Sequence, residues 1–334
     1  MPQNLLEQLR KYSVIVVDTG DIEAMERFKP QDATTNPSHI ANAAKMPKYQ
    51  AILDGELVRG RKELGGGAAD EAVANLAFRR LAIAWGKRIL EIVPGRVSTE
   101  VDARLSYDTE GSIAQARGII AQYEAEGISR NRILVKIAAT WEGTRAAAVL
   151  EKEGIHCNLT LIFDLFQAIA SAEAGATLVS PFCGRVLDWY RKEYGRDYVG
   201  AEDPGVISVT RVYNYFKKFG YKTQVMGASF WTPGQVRELV GCDLLTIAPK
   251  VLGELESAEG ELTRKLDPEA AKAIPIERIV VDSKEAFERL LAANRMATEK
   301  LKEGIEGFSS ALVDLEALLA RRAAELESRR AATV

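Results

Sequence analysis

Histidine is scarce in this chain: His39 and His156 are the only two among 334 residues. A zinc centre or a Ser-His-Asp triad needs an imidazole in a central role, and neither histidine lies in a metal-ligand or triad motif. Cys157, Cys183 and Cys242 form an odd, scattered set without CxxC spacing, which supports neither a disulfide framework nor a zinc cluster. No stretch of 18 or more apolar residues exists, so a membrane-spanning helix is not expected. The polar start Met1-Pro2-Gln3-Asn4 carries no apolar signal region, and a cytoplasmic protein is expected. Charge of one sign is missing too. The 44 basic and 47 acidic side chains are interspersed and net to −3, without the basic stripe that binding to nucleic acid requires.

What is present, 47% hydrophobic and 27% charged residues, is enough for a sizeable core, in one large α/β domain or two smaller ones. Within it, Arg132-Ile133-Leu134-Val135-Lys136-Ile137-Ala138 reads as a strand buried on both faces, the kind found in parallel sheets, with one ammonium set into it. Desolvation disfavours a charged lysine, and a neutral amine can attack a carbonyl to form a Schiff base. The alternative is a lysine at a strand end that snorkels to water.

Similar runs recur. Strands are expected at 13–20, 33–38 (a short one running into a turn at Pro37), 96–102, 132–138, 156–162, 177–183, 224–230 and 244–249, most of them separated by a helical segment. Eight strand–helix alternations argue for a single (β/α)8 barrel, the TIM-barrel class, spanning 1–334. The surplus sits in an N-terminal helix at 3–12, a helical insertion at about 41–93 and a C-terminal helical segment at about 284–330, expected on the barrel's outside. Gly65-Gly66-Gly67 interrupts the insertion without a preceding strand or a following GK[ST], so it reads as a flexible connection and not a phosphate loop. The charges from Arg321 to Arg330 read as a solvated helix face.

In such a barrel the polar groups at the strand ends converge on one mouth. Here they are Asp18, Asn36, Glu100, Lys136, Asn158, Thr160, Ser180, Arg185 and Ser229. Each has a structural alternative. Asp18 could cap the next helix, Asn36 could make an Asx turn before Pro37, and Glu100 and Asp102 could pair with Arg96 or Arg104. Together, an amine, carboxylates, amides and hydroxyls in one barrel interior form a constellation for carbonyl chemistry.

At these residues the sequence resembles the transaldolases, from Leu5 to about Ala323. The carrying segments are Val17-Asp18-Thr19-Gly20, Ala33-Thr34-Thr35-Asn36-Pro37-Ser38, Gly95-Arg96-Val97-Ser98-Thr99-Glu100-Val101-Asp102, Asn158-Leu159-Thr160-Leu161, Ser180-Pro181-Phe182 with Gly184-Arg185, and Met226-Gly227-Ala228-Ser229-Phe230. The resemblance implies a cofactor-free enzyme of the non-oxidative pentose phosphate pathway. It moves a dihydroxyacetone unit from sedoheptulose 7-phosphate or fructose 6-phosphate to erythrose 4-phosphate or glyceraldehyde 3-phosphate. Carried over, Lys136 would be the Schiff-base amine and Asp18 the acid/base at the C4 hydroxyl. Glu100 and Thr160 would hold the proton-shuttling water, and Asn36, Asn158 and Ser180 would orient the dihydroxyacetone hydroxyls. The resemblance also implies a homodimer.

The phosphate end departs from this pattern. The family places two arginines and a serine there; Arg185 and Ser229 match, but Trp231 stands where the second arginine would be. Tryptophan offers one N–H and no charge. Lys250, directly after Pro249, is the candidate replacement, with a solvated lysine at a helix start as the alternative. Trp231 could instead fit the mouth to a different or non-phosphorylated sugar. The rival activities are a class I aldolase that releases dihydroxyacetone to water and a non-catalytic sugar-phosphate binder. Related lyases carry a tyrosine near the catalytic water, where this sequence has Phe182. A metal-dependent barrel hydrolase is disfavoured for want of ligands.

Overall fold

The computed structural model describes residues 3–331. Eight strands, β1 (Val14–Asp18), β2 (Asp32–Thr34), β3 (Val97–Glu100), β4 (Ile133–Ala138), β5 (Cys157–Ile162), β6 (Leu178–Pro181), β7 (Gln224–Gly227) and β8 (Leu244–Ile247), pair in chain order, all parallel, and β8 closes on β1. This is the (β/α)8 barrel with extra helices that the alternation predicts. The strands are shorter than the apolar runs. At the second, the expected stretch 33–38 stops at Thr34, because Asn36 is extended, caps the following helix and hands over to Pro37–Ala44 with proline in its first turn. At the eighth, Pro249 likewise starts the helix Pro249–Ser257.

Alternation along each strand sorts the side chains into two surroundings. Outward-facing Ile15, Val17, Ile133, Val135, Ile137, Leu159, Val179, Val225, Leu245 and Ile247 join the large apolar cluster shared with the surrounding helices. Each such buried side chain is worth roughly 1.5–3 kcal/mol. Inward-facing Val16, Leu134, Leu178, Met226 and Leu244 make a separate cluster of five that plugs the barrel. One strand step of two residues above this plug stand Asp18, Lys136, Ser180, Ala228 and Thr246. The period of a strand therefore puts the polar layer directly on top of an apolar floor.

Helices Thr109–Ala125, Trp141–Lys152, Leu165–Glu173 and Pro204–Phe219 return the chain between strands, within a few residues of the sequence expectation. Capping side chains set their starts: Asp108 accepts from Gly111 N, Thr140 from Gly143 N, and Asp164 and Gln167 form a capping box. A further helix, Gly184–Tyr194, follows directly after β6. The triple glycine joins helices Gln50–Leu64 and Asp70–Leu90.

The C-terminal segment corrects two expectations. It folds as helices Lys284–Ala293 and Arg295–Ala331, but the second does not run only along the outside. It crosses the rim of the mouth above β5, where a Cβ on Gly304 would stand 2.7 Å from Leu161 Cδ2, so the helix approaches this closely only without a side chain there. The charge run is also not purely solvated. Arg322 makes a bidentate pair with Asp54 at 2.7 and 2.8 Å, tying this helix to the helical insertion. Among the described residues no helix is long and apolar enough to cross a membrane.

Candidate active site

The floor of the mouth is built by register. Glu100 of β3 lies beside Lys136 of β4, and Lys136 beside Asn158 of β5. Lys136 is 4% exposed, yet its ammonium is not unpaired. Nζ lies 3.2 Å from Glu100 Oε2, donates to the Thr35 carbonyl at 3.2 Å, and faces the Phe308 ring at 5.9 Å. Snorkelling to water is thereby ruled out. Burial pushes the Glu100 carboxyl above its ordinary pKa, with Lys136 and then Arg185 opposing. Glu100 is the better proton acceptor for it.

The alternative partners divide cleanly. Asp102 belongs to the rim: it caps the turn Ala103–Leu105 and pairs with Arg104, which also reaches Glu316. Arg96 pairs with Asp32 below the barrel and with Gln224. Neither arginine takes Glu100.

Across the mouth, Asp18 does not cap the next helix, a task done by Asp21. Its Oδ1 accepts from Thr34 Oγ1 at 3.0 Å and meets His39 Nε2 at 3.1 Å. Burial would raise its pKa, but the charge and hydrogen bond of His39, then Lys136 and Thr34, outweigh it, so the carboxyl sits below the ordinary range. Asp18 is thus ionised, and Glu100 is held back.

Asn36 Oδ1 caps His39 N at 2.8 Å while the residue lines the mouth, so the local reading and the functional one are compatible. Ser180 donates to Asn158 Oδ1 at 2.7 Å, and Asn158 Nδ2 donates to Ser98 Oγ at 3.0 Å. Asn158 itself is fully buried and does not line the cavity; it steers Ser180, which does. Thr160 Oγ1 is buried without a protein hydrogen bond, and Glu100 Oε2 has only the Lys136 ammonium at 3.2 Å. Thr160 precedes Leu161, a non-glycine residue in the left-handed region at φ 56°, where the register of β5 on β6 shifts. Such irregularities re-aim a side chain at a barrel rim.

The cavity above this floor holds about 190 Å³ and is lined on its β6 to β8 side by Phe182, Arg185, Ser229, Phe230, Trp231 and Ala248. The Arg185 guanidinium lies 5.2 Å from the Phe182 ring and 5.4 Å from the Phe308 ring, and makes no ion pair among the described residues. Its backbone N–H donates to Ser229 Oγ at 3.3 Å, with Ser229 itself in the left-handed region at φ 61°. Trp231 lines the mouth at 44% exposure, its indole N–H spent on Asp188 Oδ2 at 3.0 Å. Lys250 is not brought to the site. It is exposed at the second residue of the helix Pro249–Ser257 and does not line the cavity, because that helix turns it toward solvent.

His39, Phe308, Thr34 and Thr246 escaped the sequence reading. His39 had a local signal: it is the third residue after the capping Asn36, the position whose N–H the cap holds beside the strand ends. Phe308 had only Gly304, a helix-weakening residue that marks a close approach.

A family model described as transaldolase/fructose-6-phosphate aldolase matches residues 15–319. The chain is 65% identical over 329 residues to a transaldolase of Methylococcus capsulatus, covering 98% of this chain and 100% of that protein. It is 64% identical over 328 residues to one of Acidobacterium capsulatum, covering 98% of each. A transaldolase of Nostoc sp. is 62% identical over 328 residues, again covering 98% of each. With a barrel, a buried lysine paired to a carboxylate and these relatives in agreement, the chain belongs to the transaldolase/fructose-6-phosphate aldolase family.

Proposed function

We infer that this chain is a transaldolase, which transfers a dihydroxyacetone unit from a ketose phosphate to an aldose phosphate through an imine on Lys136. The observation that carries the reading is the pairing of the buried Lys136 amine with Glu100 at 3.2 Å, opposite an ionised Asp18 in the same mouth. The Lys136 amine attacks the ketose C2 carbonyl. Glu100, whose basicity burial raises, takes the surplus proton and returns it to the departing hydroxyl as the carbinolamine loses water. A water bridging Glu100 Oε2 and Thr160 Oγ1 would satisfy a buried hydroxyl that the protein leaves without a hydrogen bond, add to the Lys136 contact of the carboxylate, and carry these protons.

Asp18 then takes the proton of the C4 hydroxyl. The C3–C4 bond breaks, its electron pair flows into the protonated imine, and an aldose phosphate leaves. The enamine that remains attacks the aldehyde of the acceptor, Asp18 returns the proton to the new hydroxyl, and hydrolysis frees Lys136. Asn36 and Ser180 orient the dihydroxyacetone hydroxyls, with Asn158 holding Ser180, and Arg185 and Ser229 receive the phosphate.

Release of dihydroxyacetone to water, the aldolase alternative, is disfavoured by Phe182. Its ring packs edge-on against Phe163 at 5.4 Å and carries no hydroxyl to activate a water. A homodimer working in the cytoplasm completes the reading; a sedimentation mass of a single 36.6 kDa chain would remove the dimer. The deciding assay couples fructose 6-phosphate to erythrose 4-phosphate, with and without the acceptor, on the wild type and Lys136→Ala. Turnover should need both the acceptor and Lys136. Turnover that survives Lys136→Ala would overturn the imine mechanism, and turnover without acceptor would make the enzyme an aldolase.

A further inference from the structure

Asp18 carries two donors on one oxygen and none on the other. His39 Nε2 lies 3.1 Å from Oδ1, and because an ionised carboxylate only accepts, Nε2 must carry the proton. Thr34 Oγ1 donates to the same Oδ1 at 3.0 Å. Since the Thr34 proton is spent there, the 2.7 Å contact between Thr34 and Thr246 must have Thr246 as donor. Oδ2 takes no hydrogen bond from the described residues. We propose that His39 is a positioning residue for the acid/base of this reaction: with Thr34 it locks Asp18 Oδ1, leaves Oδ2 as the oxygen that meets the substrate hydroxyl, and keeps the carboxylate ionised.

The placement of the imidazole is fixed from two sides. Asn36 Oδ1 holds the His39 backbone N–H at 2.8 Å. On the other side, Gly20 leaves the room in which the helix Pro37–Ala44 settles against the end of β1; a Cβ on Gly20 would stand 2.3 Å from the His39 carbonyl oxygen. The ring is partly open to water, with 30% of its side chain exposed, and lines the cavity. The other charged groups that act on Asp18 are Lys136 from β4, Glu100 from β3 and Arg185 from the helix after β6. Glu100 works against its ionisation, so the cations are not redundant. Of these, Lys136 is engaged by the substrate as the imine forms and Arg185 is assigned to the phosphate, which leaves His39 and Thr34 as the donors held on Asp18 throughout the cycle.

This inference rests on the transaldolase reading, and the experiment separates the two. His39→Leu removes the donor and the favourable electrostatics of the imidazole on Asp18; His39→Gln keeps an N–H without the imidazole. With fructose 6-phosphate and erythrose 4-phosphate, kcat of His39→Leu should fall on the order of 10- to 100-fold, less than the whole contribution of a positioned base because Asp18 itself remains. KM should change less than kcat. The acidic limb of kcat/KM should move to higher pH, because the carboxylate loses the partner that lowers its pKa. The borohydride-trapped adduct of fructose 6-phosphate on Lys136 should still form, since Glu100 and Lys136 make it. His39→Gln should regain most of kcat while its acidic limb stays above that of the wild type. A wild-type kcat and acidic limb in His39→Leu would overturn the proposal; if that variant does not fold, a wild-type limb in His39→Gln would do so. An inactive wild type would instead sink the transaldolase reading itself.

Discussion

Tryptophan at position 231 is the residue that most separates this mouth from the expected one. Arg185 is the only guanidinium lining the cavity among the described residues; burial between two aromatic rings lowers its pKa from the arginine range, and although the charges of Glu303, Asp18, Glu100 and Asp188 oppose this, none of them is an ion-pair partner in direct contact. A phosphate would supply that partner. Lys250 faces solvent and does not help. Trp231→Arg should therefore lower KM for fructose 6-phosphate about tenfold, the worth of one charged hydrogen bond, and leave kcat nearly unchanged, because binding gained equally in ground and transition states does not speed the chemistry. Steady-state kinetics on the two proteins check it; an unchanged KM would mean that Trp231 serves a sugar without a phosphate at that end. Single residues were legible in the sequence where a strand's alternation fixed their direction, as for Lys136, Asn158 and Thr160. Asp102 takes Arg104 on the rim and does not share Glu100's surroundings, because β3 ends at Glu100, after which the strand period no longer applies. Lys250 failed for a similar reason: past Pro249 the helix, and not the strand, decides where a side chain points.

Among the elements, the eight strands were legible because a strand buried on both faces must be apolar along its length, and only the polar exceptions needed explaining. The long helix Arg295–Ala331 was legible as a helix but not as a wall of the site. An amphipathic pattern records that one face is buried and says nothing of what buries it. Here that face brings Phe308, itself 2% exposed, over both Arg185 and Lys136. The ring does two separable things. Phe308→Ala should cost about 3–5 kcal/mol of stability, as for other buried phenylalanines, and so mixes folding with function. Phe308→Leu fills most of the volume but loses the aromatic face, worth roughly 0.5–2 kcal/mol to a cation. It should melt close to the wild type and raise KM for the phosphorylated ketose several-fold as Arg185 loses one of its two rings. Differential scanning calorimetry beside kinetics tests the pair. An unchanged KM in a folded Phe308→Leu would reduce the helix to a cover.

For the molecule as a whole, the question is whether barrel, helical insertion and C-terminal helices form one cooperative unit, and we propose that they do. One apolar cluster runs without a break from Leu5 to Ala323, and Arg322 ties the last helix to Asp54 in the insertion. The three cysteines make this testable. Cys157 opens β5, Cys183 follows β6 and Cys242 precedes β8, all fully buried and all free. Burial pushes each thiol up, Cys242 to about 12, and the thiolate is the reactive form, so the folded protein presents three thiols that are both hidden and protonated. None should react with a thiol reagent under native conditions near neutral pH. As denaturant is added, all three should become reactive in one transition that coincides with the loss of circular dichroism, since the barrel cannot open at β5 while it stays closed at β8. Mass spectrometry after pulsed labelling counts the modified thiols at each denaturant concentration. Species carrying one or two labels at equilibrium would divide the chain into parts of unequal stability. Which thiol reacted first would then say whether the barrel yields on the side the long helix covers or at its closing seam.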